Sequence, residues 1–72
     1  MRTYKFDYSK LKGKIREKYK VQESFAKALG IATATLSVKL NNMSDFTQSE
    51  IFKAVEVLGL NTSDICDYFF SL

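Results

Sequence analysis

The sequence predicts an all-α protein, a compact five-helix bundle in a single domain spanning residues 1–72. The chain contains no proline and only three glycines, so few residues interrupt a helix. Apolar residues recur at spacings of three and four, which is the period of an amphipathic helix. Residues typical of helix starts and helix ends divide the chain into five segments.

The first helix is predicted to start at Asp7, a good N-cap residue because its short carboxylate accepts a bond from an unpaired backbone amide. Its apolar face follows the helical period and is expected to pack on the core. Residues 1–6 precede the helix as an arm that carries Tyr4 and Phe6. The face consists of Tyr8, Leu11, Ile15 and Tyr19.

Two short helices joined by the turn Gly30–Ala32 are predicted within residues 22–41. Gly30 ends the first of them, because glycine readily takes the left-handed conformation of a helix end. Ala26 is small enough to let the two helices pass closely, and Leu36 fills the gap between them. This spacing predicts a helix-turn-helix.

The last two helices have separate start signals. Thr47–Glu50 has the pattern of a capping box, in which the first and last side chains each bind the other's backbone amide. Gly59 ends this fourth helix. A short fifth helix is predicted to be capped by Thr62 or Ser63. The core stripes of the two helices are Ile51, Ala54, Val55 and Leu58, and then Ile65, Tyr68 and Phe69.

Charge is distributed unevenly along the chain. Residues 1–20 carry eight basic and two acidic residues, whereas residues 21–72 carry three basic and six acidic ones. Lys10, Lys14 and Lys18 follow one flank of the first helix at four-residue spacing. This basic patch indicates either an anionic partner or a solvated helix face.

The residue inventory argues against an enzyme. The chain has no histidine and a single cysteine, Cys66, so a zinc site or a histidine-based triad is not expected. No phosphate-binding loop or paired-carboxylate site is present, and we expect no cofactor, metal or small-molecule substrate. No apolar run approaches the roughly 20 residues of a membrane span. An unpaired cysteine favours a reducing compartment, which predicts a cytoplasmic location.

Four segments of the chain carry a resemblance to a known family: Gln22–Ile31, Thr35–Ser37, Leu40–Asn42 and Tyr68–Phe70. They resemble the helix-turn-helix regulators of temperate phages, of the Cro/repressor (XRE) type. Within that type, nearly the whole chain is similar to the lactococcal phage modulator-of-repression proteins. The resemblance implies a fold like that of the lambda-repressor DNA-binding domain.

The resemblance also implies roles for particular residues. Gln22 and Asn41 would contact DNA phosphates, and the solvent face of the third helix would enter the major groove. Base reading relies mainly on Arg, Lys, Asn and Gln, and none of these occurs at positions 33–38. That face comprises Ala34, Val38 and Asn41, flanked by Thr33, Thr35 and Ser37.

The residues that follow this face also differ from those of DNA-binding relatives. Lys39 suits a phosphate better than a base, and Asp45 would repel phosphate. The segment between them, with Asn42 and Met43, adds no positive charge. We therefore expect weak DNA binding and a surface suited to a protein partner.

Two functions remain open from the sequence. The favoured one is an antirepressor that binds the DNA-binding domain of a phage repressor and alters its operator binding, with Glu23 and Asp45 covering the repressor's basic face. The alternative is a Cro-type repressor that binds operator DNA directly. Joint binding of DNA with the repressor is a third hypothesis. Phe69 and Phe70 are expected either to cap the core or to contact a partner or a second copy in a homodimer.

Overall fold

A computed structural model describes residues 5–72, which form five α-helices and one short 3-10 turn. The prediction of an all-helical bundle is confirmed, since no strand occurs in that range. Of the predicted arm, residues 1–4 lie outside the described residues. The helices are α1 (Ser9–Tyr19), α2 (Gln22–Leu29), α3 (Thr33–Leu40), α4 (Gln48–Leu58) and α5 (Ile65–Phe69), with the 3-10 turn at Thr62–Asp64.

Three helices end in the same motif, with one residue in the left-handed conformation. Gly30 ends α2 at φ 79°, Asn42 follows α3 at φ 64°, and Gly59 ends α4 at φ 70°. In each case the amide of the left-handed residue and the next amide bind carbonyls of the last turn. These bonds satisfy carbonyls that lack a partner within the helix.

Two of the predicted helix starts are wrong by a residue or two. The N-cap of α1 is Tyr8 rather than Asp7, although the Asp7 carboxylate still accepts a bond from the Ser9 amide at 2.9 Å. The 3-10 turn that leads into α5 has Asn61 as its N-cap, whereas the sequence predicted Thr62 or Ser63. The Asn61 amide donates to the Asp64 carboxylate at 3.1 Å. The capping box from Thr47 to Glu50 is confirmed, with bonds of 2.9 and 3.1 Å.

The core lies between α2 and the three helices α1, α3 and α4, with α5 covering α1. Phe25 and Leu36 are fully buried at its centre, and Ala26 is buried where α2 packs on its neighbours. The predicted faces of α1 and α4 point inward, since Leu11, Ile15, Ala54, Val55 and Leu58 are all buried.

An aromatic cluster fills the space beneath α5. The Phe46 ring meets Tyr8 and Phe69 edge-on, with centroids 5.6 and 5.3 Å apart. Phe6 meets Phe70 in the same way at 5.7 Å. Edge-to-face contacts of this kind each add about 0.5–1.5 kcal/mol beyond the area that they bury. Phe46 thus ties the segment between α3 and α4 to both ends of the described chain.

Within residues 5–72, every helix is too short or too polar to cross a membrane.

Candidate partner-binding surface

The outward face of α3 is the predicted recognition surface, and it carries no charge. Leu36 and Leu40 point into the core. The opposite side presents alanine, valine, threonine and asparagine to solvent, so it offers methyl groups and single hydrogen-bonding groups to a partner. Its exposed residues are Thr33, Ala34, Thr35, Val38 and Asn41, with Ser37 half-buried beside them.

Lys39 does not belong to this surface, although the sequence suggested that it would contact phosphate. The residue is only 6% exposed, and its Nζ lies 2.6 Å from the Glu50 carboxylate. The same amine donates to the Asp45 carbonyl at 3.0 Å and lies 5.9 Å from the centre of the Phe46 ring. The amine is held inside the protein, so its charge is unavailable to an external ligand.

Asn42 also has an internal role. Its side-chain amide accepts from the Phe6 amide at 2.8 Å and donates to the Phe6 carbonyl at 2.9 Å. Asn42 therefore holds the segment before α1 against the end of α3, and it is not a contact residue of the predicted face. The next residue, Met43, is 78% exposed, and Asp45 is exposed as well.

Gln22 and Glu23 form the exposed start of α2. The negative charge of Glu23 is favourable there because the amino end of a helix is partly positive. Val21 precedes them as N-cap and provides no side-chain bond. Both predicted residues are therefore accessible.

The predicted basic patch on α1 is only partly engaged within the protein, since Lys14 forms an ion pair whereas Lys10 and Lys18 are exposed. Lys14 lies 3.4 Å from the Glu17 carboxylate. The Lys18 amine lies beside Gly59, 3.6 Å from where a Cβ would stand on that glycine. A cation near that helix end is favourable because the end is partly negative. Lys10 is exposed.

The two adjacent phenylalanines at the C-terminus have different environments. Phe69 is 2% exposed and belongs to the core, so the suggestion that it contacts a partner is wrong for this fold. Phe70 is 50% exposed. A short helix can bury only one side, and Phe69 occupies the buried one.

A further exposed aromatic residue, Phe52, was missed from the sequence. It is 59% exposed and lines a groove of about 360 Å³ between α4 and α5 together with Gln48, Ile51, Ile65 and Phe70. The signal was available, because Ile51 and Phe52 are adjacent on α4 and cannot both face the core. Phe52 is the outer one.

Exposed apolar side chains occur both near the end of α3 and at this groove. The Met43 amide donates to the Val38 carbonyl, and Asn42 binds Phe6, whose ring contacts Phe70. Phe70 in turn shares the groove with Phe52. We call the four exposed residues Val38, Met43, Phe52 and Phe70 the apolar band.

The family described as "Protein of unknown function (DUF739)" matches residues 4–72 of the chain. The chain belongs to the DUF739 family. This DUF739 chain is also similar to a solved structure, the solution structure of the modulator of repression of the temperate bacteriophage TP901-1 from Lactococcus lactis. The two are 48% identical with a TM-score of 0.80, over 96% of this chain and 93% of that chain. No curated protein matches the chain.

The similarity confirms the resemblance predicted from the sequence, since the DUF739 chain and the phage modulator of repression share sequence and fold over nearly their whole lengths. The DUF739 chain is therefore a relative of a bacteriophage regulator.

Proposed function

We propose that this protein is an antirepressor of a temperate-phage lysis–lysogeny switch. It binds the DNA-binding domain of the phage repressor and alters the repressor's hold on its operator. The observation that carries the proposal is the uncharged outer face of α3, from which Lys39 is withdrawn into an ion pair with Glu50. Binding, rather than catalysis, is the activity proposed.

Direct reading of DNA is poorly served by this surface. Recognition of a base pair depends on bidentate bonds from Arg, Lys, Asn or Gln, each worth about 1–3 kcal/mol. Positions 33–38 contain none of these residue types. With Lys39 paired, Lys27 and Glu23 are the remaining charges across residues 21–42, and they cancel. Few phosphates would be neutralised, so electrostatic affinity for DNA is low.

A protein partner is better matched by the apolar band. Met43 adapts its flexible thioether to an irregular partner surface, and exposed Phe52 and Phe70 provide large apolar areas. Aromatic residues and methionine are enriched at protein interfaces. We propose that Val38 and Met43, next to the α3 face, contact the repressor first, and that the groove at Phe70 extends the contact.

Charge on the proposed surface complements the partner. A repressor's DNA-reading face is basic because it must neutralise phosphates. Glu23 and Asp45 are exposed on the elements that flank α3, and they would oppose that basic face. A repressor covered in this way cannot bind DNA at the same time. The relative's own description, modulator of repression, supports an action on repression.

The test is a gel-shift titration of an operator fragment, with and without the repressor encoded by the same phage. We expect no tight binding by this protein alone, and release or remodelling of the repressor–operator complex when it is added. Tight, salt-sensitive binding by the protein alone would contradict the proposal and favour the alternative of a Cro-type repressor.

Two matched variants locate the surface. Val38→Asp places a charge on the apolar band, whereas Val21→Asp makes the same change at an exposed valine before α2. We expect Val38→Asp to weaken repressor binding about tenfold or more, since burying an unpaired charge in an interface costs more than 1.4 kcal/mol. Val21→Asp should change it less than twofold. Charge reversal by Glu23→Lys should also weaken binding, and unchanged binding in both Val38→Asp and Glu23→Lys would rule out this surface.

A further inference from the structure

A second surface lies between α1 and the start of α2. It takes no part in the repressor contact proposed above. The later half of α1 and the beginning of α2 enclose a groove of about 340 Å³. Three basic residues line it at four-residue spacing, beside the buried Ile15 and the exposed Val21. No carboxylate lines the groove. Its lining residues are Lys12, Ile15, Arg16, Lys20, Val21 and Gln22.

The cations of this groove differ from those of the predicted basic patch. Lys14 is paired with Glu17, and Lys18 lies at the end of α4. In contrast, Lys12, Arg16 and Lys20 are exposed and form no ion pair among the described residues. Three cations without an ion pair in the described chain therefore line the groove. The charge of Lys12 also acts on Asp7, whose pKa is lowered by hydrogen bonds from Ser9 and, to a smaller degree, by Lys12.

Lys20 occupies an unfavourable backbone conformation at the edge of this groove. It has φ 67° and ψ −45°, and the Val21 amide bonds across it to the Tyr19 carbonyl at 2.7 Å. This three-residue turn is rare and strained for a residue with a side chain. The three other left-handed positions of the described chain are filled by Gly30, Asn42 and Gly59, which tolerate the conformation better. Strain retained in this way is characteristic of functional positions.

We propose that this groove binds an acidic segment of a partner protein in an extended conformation. Lys12 and Arg16 are four residues apart on a helix, which places them about 6 Å apart along its axis. Alternate side chains of an extended chain are about 6.6 Å apart and share one face. An extended segment with Glu at alternate positions therefore brings successive carboxylates to Lys12 and Arg16, and Lys20 lies beyond the end of the helix at the edge of the same groove.

The lining of the groove favours a peptide over duplex DNA, because it places an exposed apolar side chain, Val21, beside the cations. The aliphatic stems of Glu side chains can bury their methylenes against Val21 while the carboxylates meet the cations. Arg16 can hold a carboxylate through two parallel bonds.

The experiment uses the full chain and a fluorescein-labelled peptide, Glu-Ser-Glu-Ser-Glu-Ser-Glu, with its Gln-for-Glu counterpart as control. Affinity is measured by fluorescence anisotropy at several salt concentrations. The groove variant carries Lys12→Gln, Arg16→Gln and Lys20→Gln. The matched variant carries Lys10→Gln, Lys14→Gln and Lys18→Gln, which removes the same charge from the other row of α1. Circular dichroism checks that both fold.

We expect the Glu peptide to bind, with an affinity that falls as salt rises, and the Gln peptide to fail. The groove variant should lose about tenfold or more in affinity, because three ion pairs of modest strength are removed together. The matched variant should lose less than threefold. Equal losses in the two variants would overturn the proposal in favour of diffuse attraction by net charge. Binding of a fluorescein-labelled random-sequence duplex that the groove variant loses, without binding of the Glu peptide, would also overturn it.

The repressor assay and the peptide assay test the two proposals separately. If the antirepressor proposal is correct, the groove variant still releases the repressor from its operator. If that proposal fails, the peptide measurement is unaffected, because it requires no repressor. The two proposals therefore succeed or fail separately.

Discussion

The Lys39 Nζ lies 2.6 Å from the Glu50 Oε1 and joins the last turn of α3 to the first turn of α4. The same carboxylate oxygen accepts from the Thr47 amide at 2.9 Å, so it completes the cap of α4 as well. Both side chains of the ion pair are largely removed from solvent. The pair thus closes the connecting segment and leaves the α3 face without a cation.

Replacing Glu50 should destabilise the protein more than replacing Lys39. Glu50→Ala removes the ion pair and the cap and leaves a buried ammonium, so we expect a loss of about 3 kcal/mol in the free energy of unfolding. Lys39→Met leaves Glu50 with the Thr47 bond and places an apolar chain in the same volume, so we expect about 1 kcal/mol. Urea unfolding measures both. The double variant should cost less than the sum of the two, and strict additivity would mean that the two side chains are not coupled.

Stability should decrease in acid through two carboxyls. Burial raises the pKa of Glu50, but hydrogen bonds from Lys39 and Thr47 and the charge of Lys39 outweigh it and hold the pKa below its ordinary value of 4.5. The hydroxyl and amide of Ser9 hold the pKa of Asp7 below 3.8. A carboxyl whose pKa is lower in the folded state than in the unfolded state stabilises the fold when it is deprotonated. This contribution to the free energy of unfolding is complete above the unfolded-state pKa and is lost as the pH falls through the folded-state pKa. Unfolding free energies from pH 7 to pH 2.5 should show a smaller acid loss in Glu50→Gln than in the wild type, and identical profiles would be inconsistent with this assignment.

Asn42 should stabilise the fold through both its backbone conformation and its side chain. Asn42→Gly keeps the left-handed conformation but loses two bonds to Phe6, with an expected cost of about 1 kcal/mol. Asn42→Ala loses the bonds and also strains the backbone, with an expected cost of about 2 kcal/mol. Thermal or urea unfolding ranks the variants. If the alanine variant were as stable as the glycine variant, backbone strain would contribute nothing at this position.

The adjacent Phe69 and Phe70 offer a matched comparison of core and surface. Phe69→Ala should cost about 3–5 kcal/mol, because it removes a buried ring and leaves a cavity under α5. Phe70→Ala should cost about 1 kcal/mol or less in stability, since half of the ring is already in solvent. Denaturant unfolding tests the difference. Comparable losses in the two variants would mean that the environments of the two rings are alike.

Two glycines should respond in opposite directions to alanine. Gly13 lies within α1, and an added Cβ there meets no atom within 4 Å, so Gly13→Ala should raise stability by about 0.5–1 kcal/mol. Gly30 also has open space, but its φ is 79°, and Gly30→Ala should lower stability by about 1 kcal/mol. Unfolding curves of the two variants, recorded together, decide this. A gain at both positions would contradict the left-handed conformation of Gly30.

Much of the fold followed from local signals in the sequence. Both helices of the α2–α3 pair have the predicted bounds, and the capping box of α4 and the glycine ends of α2 and α4 lie where they were predicted. These features depend on residues within a few positions of one another. The start of α5 was misplaced because Asn61, Thr62 and Ser63 are all acceptable cap residues, and local sequence does not distinguish among them.

The sequence alone determined the helical period, most helix ends, the resemblance to phage regulators and the absence of Arg, Lys, Asn and Gln from positions 33–38. Each of these is a property of residue type and spacing. Only the tertiary structure decided that the charge of Lys39 is unavailable to a ligand, since Lys39 pairs with Glu50 across 11 positions. It also decided that Asn42 binds Phe6, 36 positions away, and which of two adjacent phenylalanines is buried. Charges and polar groups find partners through packing between distant segments, and the spacing of residues along a helix does not specify that packing.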